Sequence, residues 1–247
     1  MRPLVLIGDS HLGAIKKGLD LDPDMTGPRE VIFHPFGRGG LATTPFFSLS
    51  EDATELRTHA RGWSNLTLTR DSFRAGTGER AVIAISLPLN TARVLRGGSW
   101  QTHVPWRLQQ DDAEIPLSGQ TLTQIFTDDC GHAIAYVRAV ASLGFEVIVI
   151  EAPRFFEHAA YLQPIRREVC HMIDTSYRGH VRAQLAPSGI AVLDQPAATI
   201  APDGTTAAAF RHENPNDNQH ANADYGRLVL QSLLDRITST QDVGDTR

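Results

Sequence analysis

The sequence predicts an α/β protein: one doubly wound domain with a central parallel sheet of about five strands and helices on both faces. Short apolar, β-rich runs alternate along it with longer stretches of helical periodicity, the mark of βα units on a parallel sheet. At 247 residues, with 41% hydrophobic side chains, the chain can bury one large core.

The strands fall at Leu4 to Ile7, Val31 to His34, Ala81 to Ser86, Val147 to Ile150 and Ile190 to Leu193. Between them the clearest helix runs from Asp128 to Leu143, with Gly144 as its stop. A second spans Pro164 to Leu185, where Ile165, Val169, Met172, Ile173 and Val181 share a face and Pro187-Ser188-Gly189 closes it. A last helix is expected from Ala221 to Ile237, with Leu230, Leu233, Leu234 and Ile237 as its apolar side. Residues 1–237 are thus read as one domain, and the polar segment Thr238 to Arg247 as a flexible tail. Ala42 to Arg80 and Thr91 to Thr127 exceed the usual connection length, so they are expected to be functional loops or small local substructures.

Charge and composition narrow the function. A formal net charge of -5 gives no basic footprint for nucleic acid and no polybasic run for an anionic membrane. The apolar run after Arg2-Pro3 ends at Ile7, too short for a signal peptide, and no later run is long enough to span a bilayer. Only Cys130 and Cys170 are present, both in helical segments, so reduced thiols and a cytoplasmic location are the expectation.

The chemistry starts at Gly8-Asp9-Ser10-His11, where the first strand gives way to a helix. That is the ligand-binding end of an open α/β sheet, and free N–H groups at the helix start favour a developing anion. Ser10 is therefore a candidate nucleophile; the structural alternative is that Asp9 or Ser10 only caps the helix. Far downstream, Asp217-Asn218-Gln219-His220 precedes the last helix. A carboxylate three residues before a histidine can hold its Nδ1 while Nε2 faces the nucleophile, or the segment can be merely an Asx-rich turn.

With these two blocks at its two ends, the chain resembles the SGNH (GDSL-like) hydrolases, whose Gly-Asp-Ser follows the first strand and whose Asp-x-x-His precedes the last helix. The resemblance implies a flavodoxin-like, three-layer α/β/α fold and a Ser10-His220-Asp217 triad. It also implies an oxyanion hole built from a glycine N–H and an asparagine amide. The glycine maps onto Gly37-Arg38-Gly39-Gly40, with Gly40 first and Gly39 next to it. The asparagine maps onto Asn90 in Pro88-Leu89-Asn90-Thr91, although Pro88 stands where the family has glycine and Thr91 where it has aspartate. The implied activity is hydrolysis or transfer of an acyl group, a short one such as acetyl, from a small or carbohydrate ester. No metal or organic cofactor is called for.

Two other readings are open. Asp9-x-His11 after a strand also fits a metal-dependent phosphoesterase, which needs further Asp, Asn and His ligands. A binding module that has lost catalysis is the other, kept open by the altered asparagine block. Gly-x-Ser-x-Gly is absent because Leu12 stands at its last position. His11, His34, His132, His171 and His180 read as structural histidines. Arg93 to Leu108, rich in Arg and Trp, is a candidate pocket wall or a loop anchored by its tryptophans.

Overall fold

The structure is a computed structural model and describes residues 1–59, 65–76 and 78–244. From the N-terminus it runs β1 (Leu4–Asp9), α1 (Leu12–Leu21), β2 (Val31–Gly37), β3 (Phe47–Leu49), β4 (Glu55–Thr58), β5 (Thr67–Thr69) and β6 (Val82–Ser86). It continues with α2 (Thr91–Gly97), β7 (His103–Pro105), β8 (Ile115–Leu117), α3 (Gly119–Ser142), β9 (Glu146–Ile150), α4 (Arg167–Leu185), β10 (Ala191–Leu193) and α5 (Ala223–Gly244).

The main sheet has five strands in the order β10-β9-β6-β1-β2, every pair parallel. Both of its faces are covered, so its strands carry apolar residues at consecutive positions rather than only at alternate ones. Leu4 and Leu6 point to one face, with Val82, Ala84, Ile148 and Ile150, and pack against Leu12 and Ile15 of α1 and Val229, Leu230 and Leu233 of α5. Val5 and Ile7 point to the other, with Ile83, Ile85, Val147 and Val149, beneath Val137 and Val140 of α3 and Ile173 and Val181 of α4. Each such side chain is worth about 1.5–3 kcal/mol of burial, which is why the alternation fixes the register. The result is a three-layer α/β/α domain.

Chain order reverses its direction of travel between β1 and β6, which makes the crevice beyond their carboxyl ends the natural ligand site. Gly8 stands level with Ser86 of β6 and Pro35 of β2, so the loops after all three strands emerge side by side. The register with β2 shifts between Gly8 and Asp9, a bulge at the point where the strand delivers its polar residues.

Helices α1 and α5 cross at a glycine contact. A Cβ on Gly226 would overlap the Ala14 carbonyl, and one on Gly18 would overlap the Arg227 backbone. Only glycine at both positions allows the approach, which brings together the segments that precede the two helices, one ending at His11 and the other containing His220.

Several boundaries depart from the sequence reading. Helix α3 starts at Gly119, not Asp128, because Ser118 caps it by accepting the Thr121 N–H at 3.1 Å. Its first turns are mostly polar and exposed, but Leu122, Ile125 and Phe126 already carry the helical spacing that continues through Cys130 and Ile134. Helix α4 begins at Arg167, after Pro164 and a short turn. Of the segment expected as a tail, residues 238–244 continue α5, and residues 245–247 lie outside the described residues. The stretch after Ala42 folds into an antiparallel sheet of β3, β4 and β5. The stretch after Thr91 holds α2, the β7/β8 pair and the start of α3. Cys130 and Cys170 are free and buried, and burial raises their thiols to about 12 and about 11. Among the described residues no helix is long and apolar enough to cross a membrane.

Candidate active site

Ser10 leaves β1 at the switch point with its side chain exposed. It caps nothing: α1 has no side-chain cap, and the His11 N–H at its start is taken by Asp9 Oδ1 at 3.0 Å. Freed from capping, the Ser10 hydroxyl lies 2.7 Å from His220 Nε2. The opposite ring nitrogen, Nδ1, lies 2.7 Å from Asp217 Oδ2. Ser10, His220 and Asp217 therefore stand in a single hydrogen-bonded line, drawn from the two ends of the chain.

Asp217 does two jobs with its two oxygens. Oδ1 accepts the backbone N–H groups of Gln219 at 3.1 Å and His220 at 3.0 Å, closing an Asx turn. Oδ2 is left for the imidazole. Partial burial by itself would raise this carboxyl, but the His220 backbone N–H, the His220 ring and the Gln219 N–H outweigh it and bring the pKa down to about 2. The group is ionised at neutral pH. A histidine that gives Nδ1–H to such a carboxylate presents an unprotonated Nε2 to the serine.

Asn90 sits where β6 meets α2 and is buried. Its Nδ2 lies 3.0 Å from His11 Nε2 and 3.4 Å from Asp9 Oδ2. Gly39 and Gly40 open a short 3-10 helix after β2. Gly39 is buried against the Asp9 carboxylate so closely that a Cβ would overlap Oδ2, whereas Gly40 has open space around its α-carbon. Asp9 thus ties Gly39, Asn90 and His11 to the strand end.

His11 is a neighbour that the sequence reading treated as structural. It is only 7% exposed, and its ring centroid lies 5.1 Å from that of His220. Burial lowers its pKa against the opposing pull of Asp9, with His220 and Arg93 lowering it further. A neutral ring is what Asn90 requires, since Nε2 must accept from the amide. Its position directly after Ser10 was the available signal; its contact with residue 90 was not in the sequence.

The loop after Asn90 divides. Trp100 is buried, giving its indole N–H to the Val94 carbonyl at 2.9 Å, and acts as an anchor. Arg93 pairs with Asp129 at 2.5 Å. Trp106 is exposed beneath the Arg107 guanidinium, 5.2 Å away. Arg96 alone of this set shares a cleft with Asp217, one of ≈ 450 Å³. Among the described residues no cluster of three or more His, Cys, Asp or Glu side chains is arranged to hold a metal ion.

No protein-family model matches the chain, and no curated protein matches it. Solved structures do. A proposed acylhydrolase from Bacteroides fragilis matches at a TM-score of 0.50 and 12% identity, over 98% of this chain and 91% of that one. A proposed platelet activating factor from Streptococcus pneumoniae matches at a TM-score of 0.51 and 11% identity, over 96% and 85%. At these identities the likeness is one of fold.

Proposed function

We propose that the protein is a serine ester hydrolase of the SGNH type, with Ser10 as nucleophile, His220 as general base and acid, and Asp217 as the group that orients His220. The observation that carries this reading is the continuous line from the Asp217 carboxylate through both nitrogens of His220 to the Ser10 hydroxyl, 2.7 Å at each link. The description of the Bacteroides fragilis protein as an acylhydrolase agrees with it.

In this mechanism Ser10 Oγ attacks the ester carbonyl carbon and its proton passes to His220 Nε2. The imidazolium is stabilised by Asp217. The carbonyl oxygen becomes an oxyanion held by the backbone N–H groups of Ser10 and Gly40 and by Asn90 Nδ2. Asn90 makes room by giving up its longer contact, the 3.4 Å one to Asp9, and keeping the one to His11. As the intermediate collapses, His220 returns the proton to the departing alkoxide, and an acyl-serine remains. Water, deprotonated by His220, attacks that acyl group, and Ser10 leaves with the proton. Transfer to another alcohol follows the same course with the alcohol in place of water. The acyl group is short, acetyl in the simplest case, and the alcohol is a small molecule or a carbohydrate.

The phosphoesterase reading needs Asp9 and His11 as metal ligands. Here Asp9 is committed to the His11 N–H and the Asn90 amide, and His11 Nε2 to Asn90. A fluorophosphonate followed by peptide mapping separates the two readings. It should modify Ser10, and not do so after Ser10→Ala; labelling elsewhere, or none in a folded protein, would refute the serine mechanism.

A further inference from the structure

The Asn90 side chain takes its direction from a short turn rather than from β6 or α2. At φ -122° and ψ 85° its backbone is neither strand nor helix, and its amide caps nothing in α2. The Leu89 carbonyl is held by the Ala152 N–H at 3.1 Å, and the Asn90 carbonyl by the Arg93 N–H at 3.4 Å. That leaves Pro88, which has no N–H of its own and whose carbonyl receives no backbone N–H among the described residues. Pro88 is buried, and a buried carbonyl needs a donor. Tyr177 of α4 supplies it, its hydroxyl donating to the Pro88 oxygen at 2.7 Å.

The surroundings of that hydroxyl direct its proton. Tyr177 is fully buried, and Asp129 Oδ2 also lies 2.7 Å from its oxygen, so two acceptors compete for one proton. Arg93 resolves the competition. Its Nε and Nη2 donate to the two oxygens of Asp129 at 2.8 and 2.5 Å, and Nη2 also reaches the Tyr177 oxygen at 3.2 Å. With the carboxylate satisfied by the guanidinium, the phenol proton is left for Pro88. Burial keeps that phenol well above its usual 10, so the donor persists wherever the protein would be assayed. One residue each from α2, α3 and α4 thus converges on the carbonyl two residues before Asn90. The ordinary alternative is a core tyrosine whose hydroxyl merely finds a partner. Against it stands the identity of the partner, the one carbonyl of the Asn90 turn that the backbone leaves unheld.

We propose that Tyr177, oriented by Arg93 and Asp129, is a positioning residue for the oxyanion hole: by holding the Pro88 carbonyl it sets where the Asn90 amide points. The proposal rests on the serine-esterase reading for its effect on turnover, but not for its effect on the amide.

Tyr177→Phe removes the hydroxyl and keeps the ring, which packs edge-on against Phe126 with centroids 5.6 Å apart. Its kcat on p-nitrophenyl acetate should fall about tenfold with KM little changed, as expected when a transition-state donor is displaced by less than about 1 Å. The same substitution made in Asn90→Ala should change kcat by less than about twofold, because it acts through a group no longer present. Loss by the same factor in both backgrounds, or no loss in the first, is what a merely structural tyrosine would give, and either would overturn the proposal. The Asn90 side-chain amide is also read directly, as an NMR signal of isotope-labelled protein identified by its disappearance in Asn90→Ala. It should shift in Tyr177→Phe; an unmoved signal would overturn the proposal whether or not the protein turns over esters. A shifted signal in a protein with no esterase activity would uphold the positioning role and refute the esterase reading instead. If Tyr177→Phe does not fold, Arg93→Lys, which keeps a cation for Asp129 and loses the bond to Tyr177, should shift the same signal, and an unmoved one there would overturn the proposal.

Discussion

Replacing Asp217 by asparagine is the sharpest perturbation of the site, because the two oxygens of the carboxylate have separate partners. Oδ1 accepts two backbone N–H groups, from Gln219 and His220. An amide nitrogen cannot accept, so the new side chain must keep its oxygen there and turn its NH2 toward His220 Nδ1. Nδ1 then has to be the unprotonated nitrogen, and the ring proton moves to Nε2, facing the Ser10 hydroxyl. A histidine in that tautomer cannot take the serine proton. The expected loss is about 10⁴-fold in kcat, roughly 5.4 kcal/mol of transition-state stabilisation at about 1.36 kcal/mol per decade. Stability should fall only modestly. The carboxyl is lowered from 3.8 to about 2 in the folded protein, so its contribution is present above pH 3.8 and lost as pH falls through about 2. Solvent screening cuts that contribution to about 1 kcal/mol, or about 2–4 °C in melting temperature. The assay pairs kcat on p-nitrophenyl acetate with the rate of fluorophosphonate labelling and a thermal melt. A variant that keeps more than about a tenth of the activity would refute the claim that Asp217 sets the tautomer.

Removing one oxyanion donor by Asn90→Ala should lower kcat about a hundredfold, near 3 kcal/mol, with KM little changed; a near-neutral result would assign the donor role to another group. The buried His11, lowered from its usual 6.5, takes up its proton later than the unfolded chain does. Its share of stability should be whole above pH 6.5 and drain away as pH falls below it, and melts of His11→Gln against pH should be flatter than those of the unmodified protein. Gly226→Ala forces a methyl into the α1/α5 crossing and should cost about 1–3 kcal/mol in urea unfolding, whereas an unchanged midpoint would mean that the helices separate freely. Dialysis against a chelator should leave ester hydrolysis intact; loss that a divalent ion restores would favour the metal-dependent reading.

The parallel sheet was legible because a strand buried on both faces must be apolar at consecutive positions. Leu4 to Ile7 and Val147 to Ile150 have no other way to satisfy their burial. The starts of helices were not legible in the same way. The first turns of α3, Gly119 to Thr127, are Thr-rich and mostly solvent-facing, so the signal there is narrow: Leu122, Ile125 and Phe126 at helical spacing, and Ser118 as the cap. The strands β3, β4 and β5 are three or four residues long and pair only with one another, too short to show a period. The same holds for β7 and β8.

The site divides along a similar line. Ser10, Asp217 and His220 could be named because each belongs to a local turn whose geometry is written within three or four residues: a strand end in one case, an Asx turn in the other. Their meeting depends on a long-range fact, the crossing of α1 and α5, and even that left a trace in Gly18 and Gly226. What leaves no trace is a contact such as His11 to Asn90, where two ordinary residues become partners only because β1 and β6 lie side by side. That contact matters for the proposed mechanism. By holding one N–H of Asn90 on a neutral imidazole, the fold fixes the amide plane before any substrate arrives, and leaves only the weaker 3.4 Å contact to Asp9 for an oxyanion to replace. Under that proposal His11, at the start of α1, supports Asn90 where Pro88 and Thr91 stand in place of the glycine and aspartate of the resemblance.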